Sequence, residues 1–96
     1  MNETKPEVLM YWRPGCGYCQ MAKQLLTLKQ QQFDFNITYV NIWEETHRRQ
    51  EMMSRTQGTT VPQILINDQP IGGYTDLAAL EDQGQLDHYL TSLQSD

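Results

Sequence analysis

The sequence predicts an α/β domain: one mixed four-stranded sheet, two parallel strands plus an antiparallel hairpin, flanked by helices. Three observations lead there. An apolar run, an amphipathic helix and a second apolar run succeed one another across residues 8–42, the order expected of a right-handed parallel crossover. Asn67-Asp68 separates two short segments as a tight hairpin turn does. The length, 96 residues, leaves room for one modest core and hence for a single domain over residues 1–96.

The elements follow in order. Val8-Leu9-Met10-Tyr11-Trp12 lies between Pro6 and Pro14-Gly15 and has the unbroken apolarity of a strand buried on both faces. From Gly17 to about Gln32, Met21, Ala22, Leu25, Leu26 and Leu28 recur at three- and four-residue spacing, with Gln20, Lys23, Gln24 and Lys29 on the polar side of the helix. Residues 37–42 are rich in branched and aromatic side chains and form the second strand. Residues 44–55 carry acids first and arginines later, which suits a helix dipole, and Gly58 is placed to close that helix. Residues 63–66 and 69–72 make the hairpin. Pro70 cannot donate to a ladder, so the last strand belongs at an edge. Thr75 is placed to cap a helix through residues 77–80 that Gly84 ends, and Leu86, Tyr89, Leu90 and Leu93 mark a final amphipathic turn or two. Trp12, Met10, Met52 and Met53 are expected in the core, as is Trp43, to which no role is assigned.

Composition narrows the function. A net charge of −5 argues against nucleic-acid binding, which uses a basic face. No apolar run approaches the roughly 18 residues of a membrane span, and the first residues lack the basic-then-apolar order of a leader, so a soluble, cytoplasmic protein is expected. All seven cations lie at or before residue 55, so folding can gather some of them beside the early cysteines and hold a small anion there.

The two cysteines, Cys16 and Cys19, open the first helix. In a reducing compartment such a pair is catalytic or metal-binding rather than a structural staple. Zinc needs four ligands, and His47 and His88, the only imidazoles, stand in separate helices without ligand spacing. A redox pair remains. A sulfur at a helix N-terminus faces unbonded N–H groups and the positive end of the dipole, which favours the thiolate of Cys16. Cys19, one turn inside and less exposed, is placed to resolve a disulfide formed there, and Arg13 adds a nearby cation.

Three blocks then carry a resemblance: Cys16-Gly17-Tyr18-Cys19 opening a helix, Thr60-Val61-Pro62 before a strand, and Gly72-Gly73-Tyr74-Thr75-Asp76-Leu77 after a hairpin. In this order and spacing, over residues 7–93, they resemble the signature blocks of dithiol glutaredoxins. The resemblance implies a thioredoxin-like fold and glutathione as co-substrate, with glutathionylated or disulfide-containing proteins as partners. It implies a cis Pro62 beside Cys16 and, next to it, a Val61 backbone turned toward the ligand together with Thr60. Tyr74, Thr75 and Asp76 would receive the γ-glutamyl end, with Gly73 permitting its approach. Arg13 and Arg49 would meet the glycine carboxylate, and Tyr18 would wall the sulfur. Arg49 could instead pair with Glu45 one turn earlier.

One departure stands out. The commonest dithiol motif has proline where this chain has Gly17. Small residues there accompany relatives that hold an iron–sulfur cluster between two protomers through the first cysteine and glutathione, so Cys16 is also a candidate metal ligand in a cluster-bridged homodimer, the protein otherwise being monomeric. The stretches Trp12-Arg13-Pro14-Gly15-Cys16 and Asn41-Ile42-Trp43-Glu44 also resemble mycoredoxin-like proteins, which would imply another reductant.

Overall fold

The central strand follows from its composition. Glu7–Trp12 (β2) is buried at Val8, Met10 and Tyr11, whose side chains alternate between two separate cores, so the strand has apolar partners on both faces. It pairs in parallel with Asn36–Asn41 (β3) and antiparallel with Gln63–Ile66 (β4), which in turn pairs with Gln69–Gly72 (β5). The sheet order is β3-β2-β4-β5, so β5 with its Pro70 lies at an edge, as the proline requires. Asn67 and Asp68 both take positive φ, at 52° and 66°, which is the backbone of the tight two-residue turn expected between β4 and β5. The structure, a computed structural model, describes residues 3–91 and 93–94.

Helices Gly17–Gln30 (α1), Tyr74–Asp82 (α3) and Leu86–Leu90 (α4) bury Ala22, Leu26, Leu77, Leu86 and Leu90 against Val8, Met10, Ile64 and Ile66 on one face of the sheet. Helix Arg48–Thr56 (α2) covers the other face, where Met52 meets Tyr11, Val40, Ile42 and Leu65. The result is the three-layered mixed sheet that was expected. No helix among the described residues is long and apolar enough to cross a membrane.

Several local expectations need correction. The second helix starts at Arg48 rather than at residue 44 because the Asn41 side chain intercepts the N–H groups of Trp43 and Glu44, at 2.9 and 3.3 Å, and holds a turn instead. Its left-handed end falls at Gln57, φ 64°, not at Gly58. The third helix is capped from Gly73 rather than Thr75, since Asp76 Oδ2 reaches back to accept the Gly73 N–H at 3.0 Å. Leu93 does not extend α4: Thr91 turns extended, and Leu93–Gln94 (β6) pairs antiparallel with Glu3–Thr4 (β1), a two-stranded ribbon that the apolar pattern did not disclose. Met53 and Trp43 are exposed rather than core, Trp43 by 61%.

The first helix also turns a different face inward. Met21 and Leu28 are exposed, while Lys29, expected on the polar side, is 4% exposed. Glu81 and Asp87 from α3 and α4 reach its ammonium at 2.9 and 2.6 Å, and the Phe33 ring lies 5.6 Å from it. Burial pulls the Lys29 pKa down, but hydrogen bonds to Asp87 and Glu81 outweigh it and the net shift is upward. On the far face Glu51 accepts the Tyr11 hydroxyl and pairs with Arg48 at 3.1 Å, tying α2 to the central strand. The Arg48 hydrogen bond, helped by that of Tyr11, holds the Glu51 carboxyl below its ordinary value of 4.5.

Two outcomes are expected. Lys29→Met should destabilise the fold by about 1–3 kcal/mol, below the roughly 3–5 kcal/mol of a fully broken buried pair because both acids keep some solvent. Urea denaturation of the triple variant Lys29→Met/Glu81→Gln/Asp87→Asn should recover most of that loss. Because the folded Glu51 pKa is depressed, its contribution is full above the unfolded value and is lost as pH falls through the folded one. The stability gap between wild type and Glu51→Gln should therefore be widest near neutrality and close in acid, as thermal melts at stepped pH would reveal.

Candidate active site at the N-terminus of the first helix

Strand β2 ends in the centre of the sheet, and Pro14 and Gly15 turn the chain so that Cys16 becomes the N-cap of α1. Its backbone is extended, its carbonyl accepts the first helical bond from the Gln20 N–H at 3.2 Å, and its sulfur accepts the Cys19 N–H at 3.1 Å. The sulfur thus does the work a serine or aspartate oxygen does at other helix starts. Cys16 and Cys19 are joined by a disulfide, their Cα atoms 5.2 Å apart, so this is the oxidised form of the pair. Both cysteines are buried, Cys16 at 8% and Cys19 at 3% exposed, so Cys16 is the more accessible of the two.

The second block meets this sulfur, and the third meets the second. Val61 O lies 3.8 Å from Cys16 Sγ, and the Val61–Pro62 bond is cis, as the resemblance implied. Gly73 adjoins the same segment, since a Cβ placed on it would sit 3.4 Å from Pro62 O. Gly72 takes φ +117°, and the Asp76 carboxylate occupies the space a Cβ would need there, so only glycine fits between the hairpin and α3. The first bond of α3 runs from the Leu77 N–H to Gly73 O, which leaves the N–H groups of Tyr74, Thr75 and Asp76 without partners inside the helix. Tyr18, 59% exposed, stacks on Tyr74 with centroids 6.1 Å apart, joining the starts of α1 and α3.

The two arginines rest on different neighbours. Arg49 donates to Thr59 O at 3.4 Å, next to exposed Thr60, and the pairing with Glu45 is made by Arg48 instead. Arg13 donates to Pro14 O at 3.0 Å and lies 5.5 Å over the Trp43 ring. Trp43, expected in the core and given no functional role by the sequence, lies instead under Arg13. Lys23, one turn beyond Cys19 on α1, was likewise passed over; its i, i+4 spacing from Cys19 was the available signal.

Among the described residues no three His, Cys, Asp or Glu side chains stand together as metal ligands. Each chain offers a cluster only the two sulfurs, here bonded to one another, so a bridging cluster would need its remaining thiolates from a second copy and from glutathione.

Residues 8–71 match the family model described as Glutaredoxin. A glutaredoxin of Haemophilus influenzae is 44% identical over 77 residues, spanning 76% of this chain and 87% of its own. Glutaredoxin 3 of Escherichia coli strain K12 is 42% identical over 83 residues, 86% of this chain and 95% of that one. The solution structure of the dithiolic glutaredoxin 2-C-Grx1 from Trypanosoma brucei brucei superposes with a TM-score of 0.75 at 33% identity, covering 88% of this chain and 86% of that one.

The capping geometry has a measurable consequence. In reduced protein, Cys16→Ser retains an acceptor for the Cys19 N–H whereas Cys16→Ala does not, so urea denaturation under reductant should find the alanine variant less stable than the serine variant by about 0.5–2 kcal/mol. Equal stabilities would mean that the sulfur is not serving as the cap.

Proposed function

Because the chain belongs to the glutaredoxin family, whose members are thiol–disulfide oxidoreductases, we propose that its electron donor is glutathione and that its substrates are protein–glutathione mixed disulfides and protein disulfides. The observation that carries this reading is a chain of contacts: the Val61-Pro62 segment faces the Cys16 sulfur at the start of α1, and Gly73, which opens α3, adjoins Pro62.

In the monothiol route the Cys16 thiolate attacks the glutathione sulfur of a mixed disulfide. The protein thiolate leaves and takes up a proton, and Cys16 carries the glutathionyl group. A second glutathione thiolate attacks that group, forming glutathione disulfide and returning Cys16 as thiolate. At each stage the negative sulfur at position 16 receives the Cys19 N–H and the dipole of α1, which lowers the cost of the leaving thiolate. In the dithiol route Cys16 attacks a protein disulfide, and the Cys19 thiolate displaces the second protein thiolate from Cys16. This yields the Cys16–Cys19 disulfide, which two glutathiones reduce.

The γ-glutamyl carboxylate of glutathione fits the N–H groups of Tyr74, Thr75 and Asp76, an anion at a helix start. The Asp76 carboxylate, with one oxygen on Gly73 N–H, has acceptor capacity left for the amine. The cysteinyl backbone would pair along Val61, beside Thr60 and Pro62, and Tyr18 would flank the sulfur. Arg49 would meet the glycine carboxylate; Arg13 would join it by leaving Trp43. We place this activity in the cytoplasm, where glutathione is kept reduced. A cluster held by Cys16 of two copies would be a second use of the same thiolate.

The test is glutathione-dependent reduction of a small mixed disulfide, coupled to glutathione reductase. Cys19→Ser should retain that activity and lose reduction of a protein disulfide, while Cys16→Ser should lose both by several orders of magnitude. Reduction by mycothiol or by a thioredoxin reductase, with none by glutathione, would overturn the reading.

A further inference from the structure

A cleft of about 450 Å³ opens beside the redox pair, and it shares none of its lining with Val61, Pro62, Gly73 or Tyr74. Its size is within the range of about 300–1,000 Å³ usual for ligand sites. Met10, Trp12 and Tyr39 give it apolar and aromatic walls, and Cys19 forms part of its lining. Gly15, the residue before Cys16, also lines it.

Its charge is opposite to that of the whole chain. Lys5, Lys29, Arg48 and Arg55 are all paired with carboxylates. Among the described residues the cations that make no ion pair are Arg13, Lys23 and Arg49, and the cleft is lined by the first two and by no acid. Lys23 Nζ lies 5.3 Å over the Tyr39 ring, which leaves its charge at an aromatic wall rather than dispersed in solvent. In a protein of net charge −5, this is where a negative group is drawn toward the cysteines.

We infer that this cleft is a docking subsite for the protein substrate, taking an apolar or aromatic side chain with a neighbouring acidic residue from the segment that flanks the target cysteine. The inference rests on the reading of protein disulfides as substrates and adds the class of sequence preferred. Gly15, beside Cys16 in the chain, and Cys19, its disulfide partner, both line the cleft, and two or three extended residues of a substrate bonded to Cys16 span about 7–10 Å. Glutathione, directed along Val61 toward α3, would touch the cleft only at Arg13. Lys23 acts here as the specificity-determining cation, while Arg13 is shared with the glutathione reading.

The probe is an acetylated octapeptide with Leu-Phe beside Glu-Asp and serine in place of cysteine, titrated into the oxidised full-length protein and followed by amide chemical shifts. A second peptide carries Lys-Lys in place of Glu-Asp. Shifts centred on Gln20, Lys23, Gln24 and Tyr39 are expected, with the acidic peptide binding about three- to tenfold more tightly than the basic one. Lys23→Glu, a surface change, should reverse that preference. Shifts centred on Gly73 and Tyr74, no saturable shifts at millimolar peptide, or a preference unchanged in Lys23→Glu would each overturn the inference. No thiol and no glutathione take part, so the result does not depend on which reductant the protein uses.

Discussion

The structure depends on one sulfur accepting one backbone N–H. Cys16 ends the turn after the central strand and caps the first helix, so one of the two redox-pair sulfurs also satisfies a backbone donor that would otherwise lack a partner. The two roles reinforce each other. A neutral sulfur is a weak acceptor and a thiolate a strong one, so the N–H and dipole that stabilise the helix start favour the charged, nucleophilic form. The rest of the fold keeps this atom in place: β2 is held between two cores, and α1 is anchored along its length by Ala22, Leu26 and the buried Lys29.

Two environments meet at that position. Val61, Gly73 and Tyr74 present backbone groups, which suit a small peptide-like ligand recognised by its main chain. The cleft beside Cys19 presents side chains, aromatic and cationic, which suit recognition of a partner's sequence. On the proposed reading, a sulfur between these two surfaces exchanges with a common small thiol and still discriminates among proteins.

Much of this was legible in the sequence because it depends on local pattern. The apolar run of β2, the turn at Asn67-Asp68 and the edge position of Pro70 follow from periodicity and from what each residue's backbone permits. The redox pair followed from two cysteines at a helix start. What was missed depends on distant or side-chain partners. Lys29 reads as a surface residue until Glu81 and Asp87, far along the chain, are brought to it. Asn41 delays α2 through its side chain, and Asp76 moves the start of α3 to Gly73, choices that hydropathy does not record. Trp43 was assigned to the core by its apolarity, yet it is held at the surface under Arg13. The arginines show the same limit, since their order in the chain did not reveal that they stand on different neighbours.

The most direct test of the account is to trap the covalent intermediate. Cys19→Ser, treated with glutathione disulfide and examined by intact and peptide mass spectrometry, should carry one glutathionyl group, located on Cys16 and removed by added glutathione. An unmodified chain, or an adduct that free glutathione does not release, would contradict the claim that this capped sulfur exchanges with glutathione.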